Sequence, residues 1–241
     1  MILEIIEDLV KMAIIVACLY LVLATYVRRN QPDGAEAPGK RHLTLVLALV
    51  LVVTAAKLSE DVLGGESGPI DRAILLYIHA HVPGMLTGFF ETVTMTGASW
   101  FLVSLAALVT GALLWTRHRT EALLVAASTS SGAAVVYLVK TLVGRARPAL
   151  WDTEWYWGSS FPSGHTLVVA AFATACVLCV SRIRPASRNL ARALAVAWIT
   201  LVAISRLVLG VHWPTDVLVA ACIGAFLPLA MSVVLESNHA K

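Results

Sequence analysis

Apolar runs of bilayer length, separated by short polar connections, recur along this 241-residue chain and decide its class. About 20 apolar residues in a helix cross a hydrocarbon core of about 30 Å, and a helix satisfies all of its backbone polar groups within one segment. With 59% hydrophobic and only 14% charged residues, the chain is not a soluble globular domain. The expected fold class is all-α, a polytopic membrane helix bundle in a single domain. The net charge of +3 says little until the charges are placed on a side of the membrane.

Seven spans are expected, at about Val10–Val27, Leu43–Leu63, Trp100–Trp115, Leu123–Val143, Gly164–Val180, Ala193–Val208 and Thr215–Leu235. Glu4, Glu7 and Asp8 precede the first and Arg28 and Arg29 follow it, the reverse of a secretory peptide, so it reads as a retained span with its N-terminus outside. Arg28 to His42 is a hydrophilic connector with a turn signal at Gln31-Pro32-Asp33-Gly34. Near the end of the second span, Lys57, Glu60 and Asp61 share a helix face and form a local ion-pair group. Ala126, Ala127, Ser130, Gly132, Ala133 and Ala134 allow close helix approach and place the fourth span in the bundle interior.

Gly64 to Gly97 is too polar to span. Ile70, Ile74, Leu75 and Ile78, with Asp71 and Arg72 opposite, read as an amphipathic helix on the surface; Pro83-Gly84 breaks it and a second short helix follows. His79 and His81, two apart, point to different sides of a helix and read as solvated. Cys18, Cys176, Cys179 and Cys222 all fall inside spans, where they serve as small apolar residues.

Basic residues set the orientation. Arg28, Arg29, Lys40 and Arg41, then Arg117 and Arg119, then Arg182, Arg184, Arg188 and Arg192 occupy alternate connections, which are cytoplasmic by the positive-inside bias. The remaining connections are extracytoplasmic, and Arg145, Arg147 and Arg206 stand there against the bias. Three polar patches cluster on that side: Lys140 to Pro148, Pro162 to His165 and Ser205 to Asp216.

Lys140 and Arg147 are seven apart and would share a face if the helix continued through Gly144, until Pro148 stops it. Two fixed cations, one a guanidinium able to bind two oxygens, suit a phosphate; interfacial snorkelling is the plain alternative. Ser163 is placed as an N-cap and Gly164 leaves an anion room to approach free backbone N–H groups, with His165 in the first turn; an ordinary capped helix start would look the same. Arg206 adds a cation. Pro214 starts a helix and puts Asp216 in its first turn, where the carboxylate can reach back to His212 and leave the other ring nitrogen as nucleophile or base. A buried histidine merely satisfied by an aspartate is the alternative there.

These motifs, Lys140-(six residues)-Arg147-Pro148, Pro162-Ser163-Gly164-His165 and Ser205-Arg206-(five residues)-His212-(three residues)-Asp216, resemble the tripartite signature of the type-2 phosphatidic acid phosphatase superfamily, which includes lipid phosphate and undecaprenyl pyrophosphate phosphatases. The likeness covers about Ile70 to Leu235. It implies a six-span phosphatase core over residues 43–241, with residues 1–42 as an additional N-terminal span and cytoplasmic connector. It also implies a metal-independent hydrolase of lipid phosphate or pyrophosphate, acting through a phosphohistidine at the outer leaflet of a bacterial cell membrane. Its catalytic residues would be His212, His165 and Asp216, and its phosphate-binding residues Lys140, Arg147, Ser163, Gly164 and Arg206. No cofactor and no nucleic acid are expected; the partners are a phosphorylated lipid substrate and membrane lipids. A lipid phosphotransferase would use the same site, and an anion transporter could line a pathway with Lys140, Arg206 and His212. A transporter, however, leaves the spacing of His212 and Asp216 unexplained.

Overall fold

The computed structural model describes residues 10–22, 25, 38–153 and 158–239, the side chains of residues 38–42 and 236–239 excepted. Every regular element among them is helical: α1 Val10–Val22, α2 Pro38–Gly64, α3 Gly68–His81, α4 Thr87–Met95, α5 Ser99–Trp115, α6 Arg119–Val143, α7 Gly164–Ile183, α8 Arg188–Val208 and α9 Pro214–His239. Short 3₁₀ turns join α3 to α4 and α7 to α8. Glu4, Glu7, Asp8, Arg28, Arg29, the Gln31 to Gly34 turn and the stretch Glu154 to Trp157 lie outside the described residues, as do the side chains of Lys40 and Arg41.

Among the described residues, five helices are long and apolar enough to cross a membrane: α2 from Leu43, α6, α7, α8 with its preceding turn, and α9 to Leu235. The protein is an integral membrane protein. α5 is apolar with 17 residues and sits at the short end of spanning length, with Trp100 and Trp115 exposed at its two ends. α1 is the described part of the expected first span, whose remainder to Val27 lies outside the described residues apart from Thr25. Several boundaries differ from expectation: α6 begins at Arg119 rather than Leu123. Arg182 belongs to α7, and Arg188 and Arg192 to α8, because the turn between these helices needs only Arg184 to Ser187.

α7 is the hub, packing on α5, α6, α8 and α9, while α2 lies against α9. It can touch so many neighbours because its buried face carries Ala170, Ala171, Ala173 and Ala175. Partner glycines let the axes close further. A Cβ on Gly132 of α6 would meet Leu167 at 3.2 Å and Ala171 at 3.3 Å, and one on Gly224 of α9 would collide with the Leu167 carbonyl. α6 packs on α5, α7 and α9, with Gly132 facing α7, but it is less enclosed than expected: Ser130 and Ala133 line a cavity and Ala134 is exposed.

α3 and α4 are bent 96° apart at one end of the bundle, where α3 contacts α8 and α9 and α4 contacts α8. The faces of α3 follow the sequence reading only in part: Leu75 is inside and Arg72 outside as expected, but Asp71 is inside as well. Asp71 and Leu75 are fully buried, whereas Ile70 is 62% and Ile74 40% exposed. The isoleucines are turned outward because the aspartate has partners inside the protein. The same end of the bundle holds the start of α7, the ends of α6 and α8 and the start of α9.

Candidate active site

Three chain breaks at this end build one polar centre. α6 stops at Gly144, whose φ of +64 is the left-handed conformation that glycine adopts without penalty. Lys140 and Arg147 therefore do not share a helix face. They meet because the extended segment after Gly144 folds back: Ser160 N–H donates to Arg145 O at 2.8 Å and Trp213 Nε1 donates to Ala146 O at 3.0 Å. Lys140 Nζ and Arg147 Nη2 both donate to the Ser159 carbonyl. Arg147 Nη1 donates to Val211 O at 2.8 Å and lies 3.4 Å from His212 Nε2, so this arginine also fixes the loop that carries the histidine.

Ser163 is the N-cap of α7 by its extended backbone, but its hydroxyl pairs with Thr166 Oγ1 at 3.1 Å rather than capping an amide. Its own N–H donates to the Asp216 carbonyl at 3.2 Å, which joins the second patch to the third. Gly164 lets α6 come near, since a Cβ there would stand 3.2 Å from Val136. His165 is bordered by Gly97, where any Cβ would lie 3.1 Å from the imidazole carbon Cδ2.

Arg206 is 1% exposed, and its Nη1 donates to Thr94 Oγ1 of α4 at 2.6 Å. Pro214 starts α9 and Asp216 lies in its first turn, as expected. Asp216 Oδ2 accepts from Trp213 N–H at 2.9 Å and faces His212 Nδ1 at 3.5 Å, the outer limit of a hydrogen bond and the looseness usual in an unliganded site. Nε2 is on the side of Arg147 Nη1, and both residues line the same cavity.

Lys140, Arg147, Gly164, His165, Arg206 and His212 all line one cavity of about 770 Å³; Ser163 and Asp216 stand behind it, fully buried. From this polar head the cavity continues as an apolar groove between α5 and α6, past Leu102, Ala106, Ala133 and Ala126 to Leu114. The small residues of α6 thus open the groove as well as admit α7.

Sequence reasoning missed two residues. Arg145 bridges two carboxylates, Asp216 at 2.5 Å and Asp71 at 2.7 Å. The signal for Arg145 was its place on the wrong side of the charge bias. Asp71 was legible only as the i−4 neighbour of Leu75, which is a core residue. Four cations, Lys140, Arg145, Arg147 and Arg206, are gathered around two carboxylates. Buried charge of one sign in excess is costly unless a counter-ion shares the site, so the arrangement suits a bound anion.

The family model of the PAP2 superfamily matches residues 121–239. A stretch of 66 residues, 27% of this chain, is 46% identical to phosphatidylglycerophosphatase B of Escherichia coli K12, and matching proteins from Escherichia coli O157:H7 and Shigella flexneri give the same figures. The chain spans only 25% of the length of these curated relatives. Phosphatidylglycerophosphatase B of Bacillus subtilis is 27% identical over 188 residues, covering 75% of this chain and 89% of that protein. The solved structure of the transmembrane PAP2 type phosphatidylglycerolphosphate phosphatase from Bacillus subtilis superposes with a TM-score of 0.69 at 24% identity, over 80% of this chain and 96% of that one. Aquifex aeolicus LpxE gives 0.55 at 22% identity, over 67% and 93%. These two likenesses show the same helical fold.

Proposed function

Because the chain belongs to the PAP2 superfamily, we propose that it is a membrane phosphatase that hydrolyses a lipid phosphate monoester or pyrophosphate without a metal, through a phosphohistidine on His212. The observation that carries this is the cavity itself, in which three cations and two histidines stand at the head of an apolar groove between two helices. An anionic headgroup would fit the head and a lipid tail the groove. The relatives named phosphatidylglycerophosphatase B make phosphatidylglycerol phosphate the first substrate to test. Undecaprenyl pyrophosphate and phosphatidate present the same reacting group.

In this mechanism His212 Nε2 attacks phosphorus as the bond to the lipid oxygen breaks, and His165 gives its proton to that oxygen. Lys140, Arg147, Arg206 and the Gly164 N–H hold the equatorial oxygens, and the Ser163 hydroxyl would turn from Thr166 to join them; such preorganised charge supplies most of the acceleration. Asp216 stabilises the charged imidazole. Water, losing its proton to His165, then attacks the phosphohistidine and phosphate leaves. The catalytic unit is residues 43–241, which contain every one of these groups, with residues 1–42 as an N-terminal addition. The opposite end of the bundle carries Arg117, Arg119, Arg182, Arg184 and Arg188, which supports an extracytoplasmic site in a bacterial cell membrane.

The test is phosphate release by purified protein from phosphatidylglycerol phosphate, phosphatidate, undecaprenyl pyrophosphate and lipid A. At least one should yield free phosphate, undiminished by EDTA and abolished by His212→Ala; transfer to another lipid would release none. Full activity of His212→Ala, or a strict magnesium requirement, would overturn the mechanism. For sidedness, a cysteine placed at Asp152 should react with an impermeant thiol reagent added outside intact cells. Protection there, with reaction only after lysis, would reverse the orientation.

A further inference from the structure

A surface helix with a buried carboxylate is unusual, because Asp71 has to recover inside the protein the hydration it gives up. It does so through α9 and the segment after α6. Thr215 donates its N–H to Asp71 Oδ1 at 2.9 Å and its hydroxyl to Oδ2 at 2.6 Å. Arg145 Nη2 reaches Oδ2 at 2.7 Å and Ser67 Oγ at 3.2 Å. On its other side, Arg145 Nη1 reaches Thr215 Oγ1 at 2.9 Å and Asp216 Oδ1 at 2.5 Å. Asp216 Oδ2 is then turned toward Trp213 N–H and His212 Nδ1. A line of alternating charge runs from Asp71 through Arg145 and Asp216 to His212.

The electrostatic consequence of this line differs from its mechanical one. Arg145 alone beside Asp216 would make a neutral pair whose field at the imidazole largely cancels. Asp71 takes up the arginine from the far side, so the three groups together carry one negative charge behind His212. On the cavity side, Lys140, Arg147 and Arg206 all oppose positive charge on the ring. An imidazole attacking phosphorus becomes positive, so that negative charge matters most in the transition state.

We propose that Asp71 and Arg145 are positioning residues, which fix the Asp216 carboxylate and keep the group behind His212 anionic so that the imidazole is aimed and polarised for attack. This rests on His212 being the nucleophile. Merely fastening α3 would require the Thr215 hydrogen bonds but not the charge. Asp71→Asn separates the two roles, because its amide oxygen still accepts from Thr215 N–H while the charge is gone.

Two probes read the difference: inorganic phosphate, which resembles the product, and orthovanadate, whose five-coordinate form resembles the transition state. Asp71→Asn should lower kcat by about 10- to 100-fold, the range found for outer partners of metal-bound histidines. KM should stay within about threefold, as expected when an interaction specific to the transition state is removed. The inhibition constant for vanadate should rise in step with the kcat loss, while that for phosphate and the melting temperature in detergent remain as in the wild type. Arg145→Lys keeps the charge without the two-sided fork and should fall between wild type and Arg145→Ala.

Wild-type kcat and vanadate inhibition in Asp71→Asn would overturn the proposal. So would equal weakening of vanadate and phosphate together with a lower melting temperature, the signature of a purely structural tie. Failure of the underlying function would instead appear in the unaltered protein, as no phosphate released from any lipid. Stabilisation against heat by vanadate then decides: present in wild type and lost in Asp71→Asn supports the positioning role, and absent from both overturns it.

Discussion

His212 is almost entirely enclosed, and burial pushes its imidazole down to about 4. The carboxylate of Asp216 opposes that fall, while Arg206 and Arg147 add to it. The folded-state value lies below the ordinary 6.5, so the ring of the unliganded protein is neutral at pH 7 and takes up a proton only as pH falls toward 4. The nucleophilic role proposed for His212 needs the neutral form, which the unliganded site holds. In ring-labelled protein, the resonances removed by His212→Gln should keep neutral values from pH 7 to about 5, then shift through about 4. Inorganic phosphate, by placing negative charge beside the ring, should move the midpoint upward. A midpoint near the ordinary value without ligand would contradict this electrostatic picture.

At the scale of elements, the contacts that hold the site together are made by missing side chains. Gly224 brings α9 against the Leu167 carbonyl of α7, and no rotamer change can relieve a Cβ that meets backbone. Gly224→Ala should therefore cost about 1–3 kcal/mol, the range for overpacking, and lower the melting temperature, with activity falling as α9 carries Asp216 away from His212. An unchanged melting temperature would show that the two helices can separate freely. The same elements show how much was readable beforehand. The long helices followed from apolar runs, and the starts of α7 and α9 from Pro162-Ser163-Gly164 and Pro214, because those signals are local. The faces of α3 followed only in part: Asp71 lies inward only because Arg145 and Thr215, 74 and 144 residues away, supply its partners. Lys140 and Arg147 meet at the Ser159 carbonyl without sharing a helix face, since Gly144 ends the helix and the chain folds back. That Ser163 pairs with Thr166 depends on side-chain rotation within one turn, which residue spacing does not encode.

For the molecule as a whole, the sequence located the polar centre but not the groove, which appears only when α5 and α6 stand apart over α7. Its α5 wall runs from Ser99 to Leu114, about 22 Å at 1.5 Å per residue, against roughly 15 Å for one leaflet of the hydrocarbon core. Placed in a bilayer, a recess of that depth between two apolar helices would open onto acyl chains rather than water. Molecules would then arrive by sliding within the sheet of lipid and never leave it to be processed. Turnover in mixed micelles should accordingly follow the mole fraction of substrate among the amphiphiles. Diluting the surface with detergent at constant total substrate should slow the reaction, and adding buffer at constant surface composition should not.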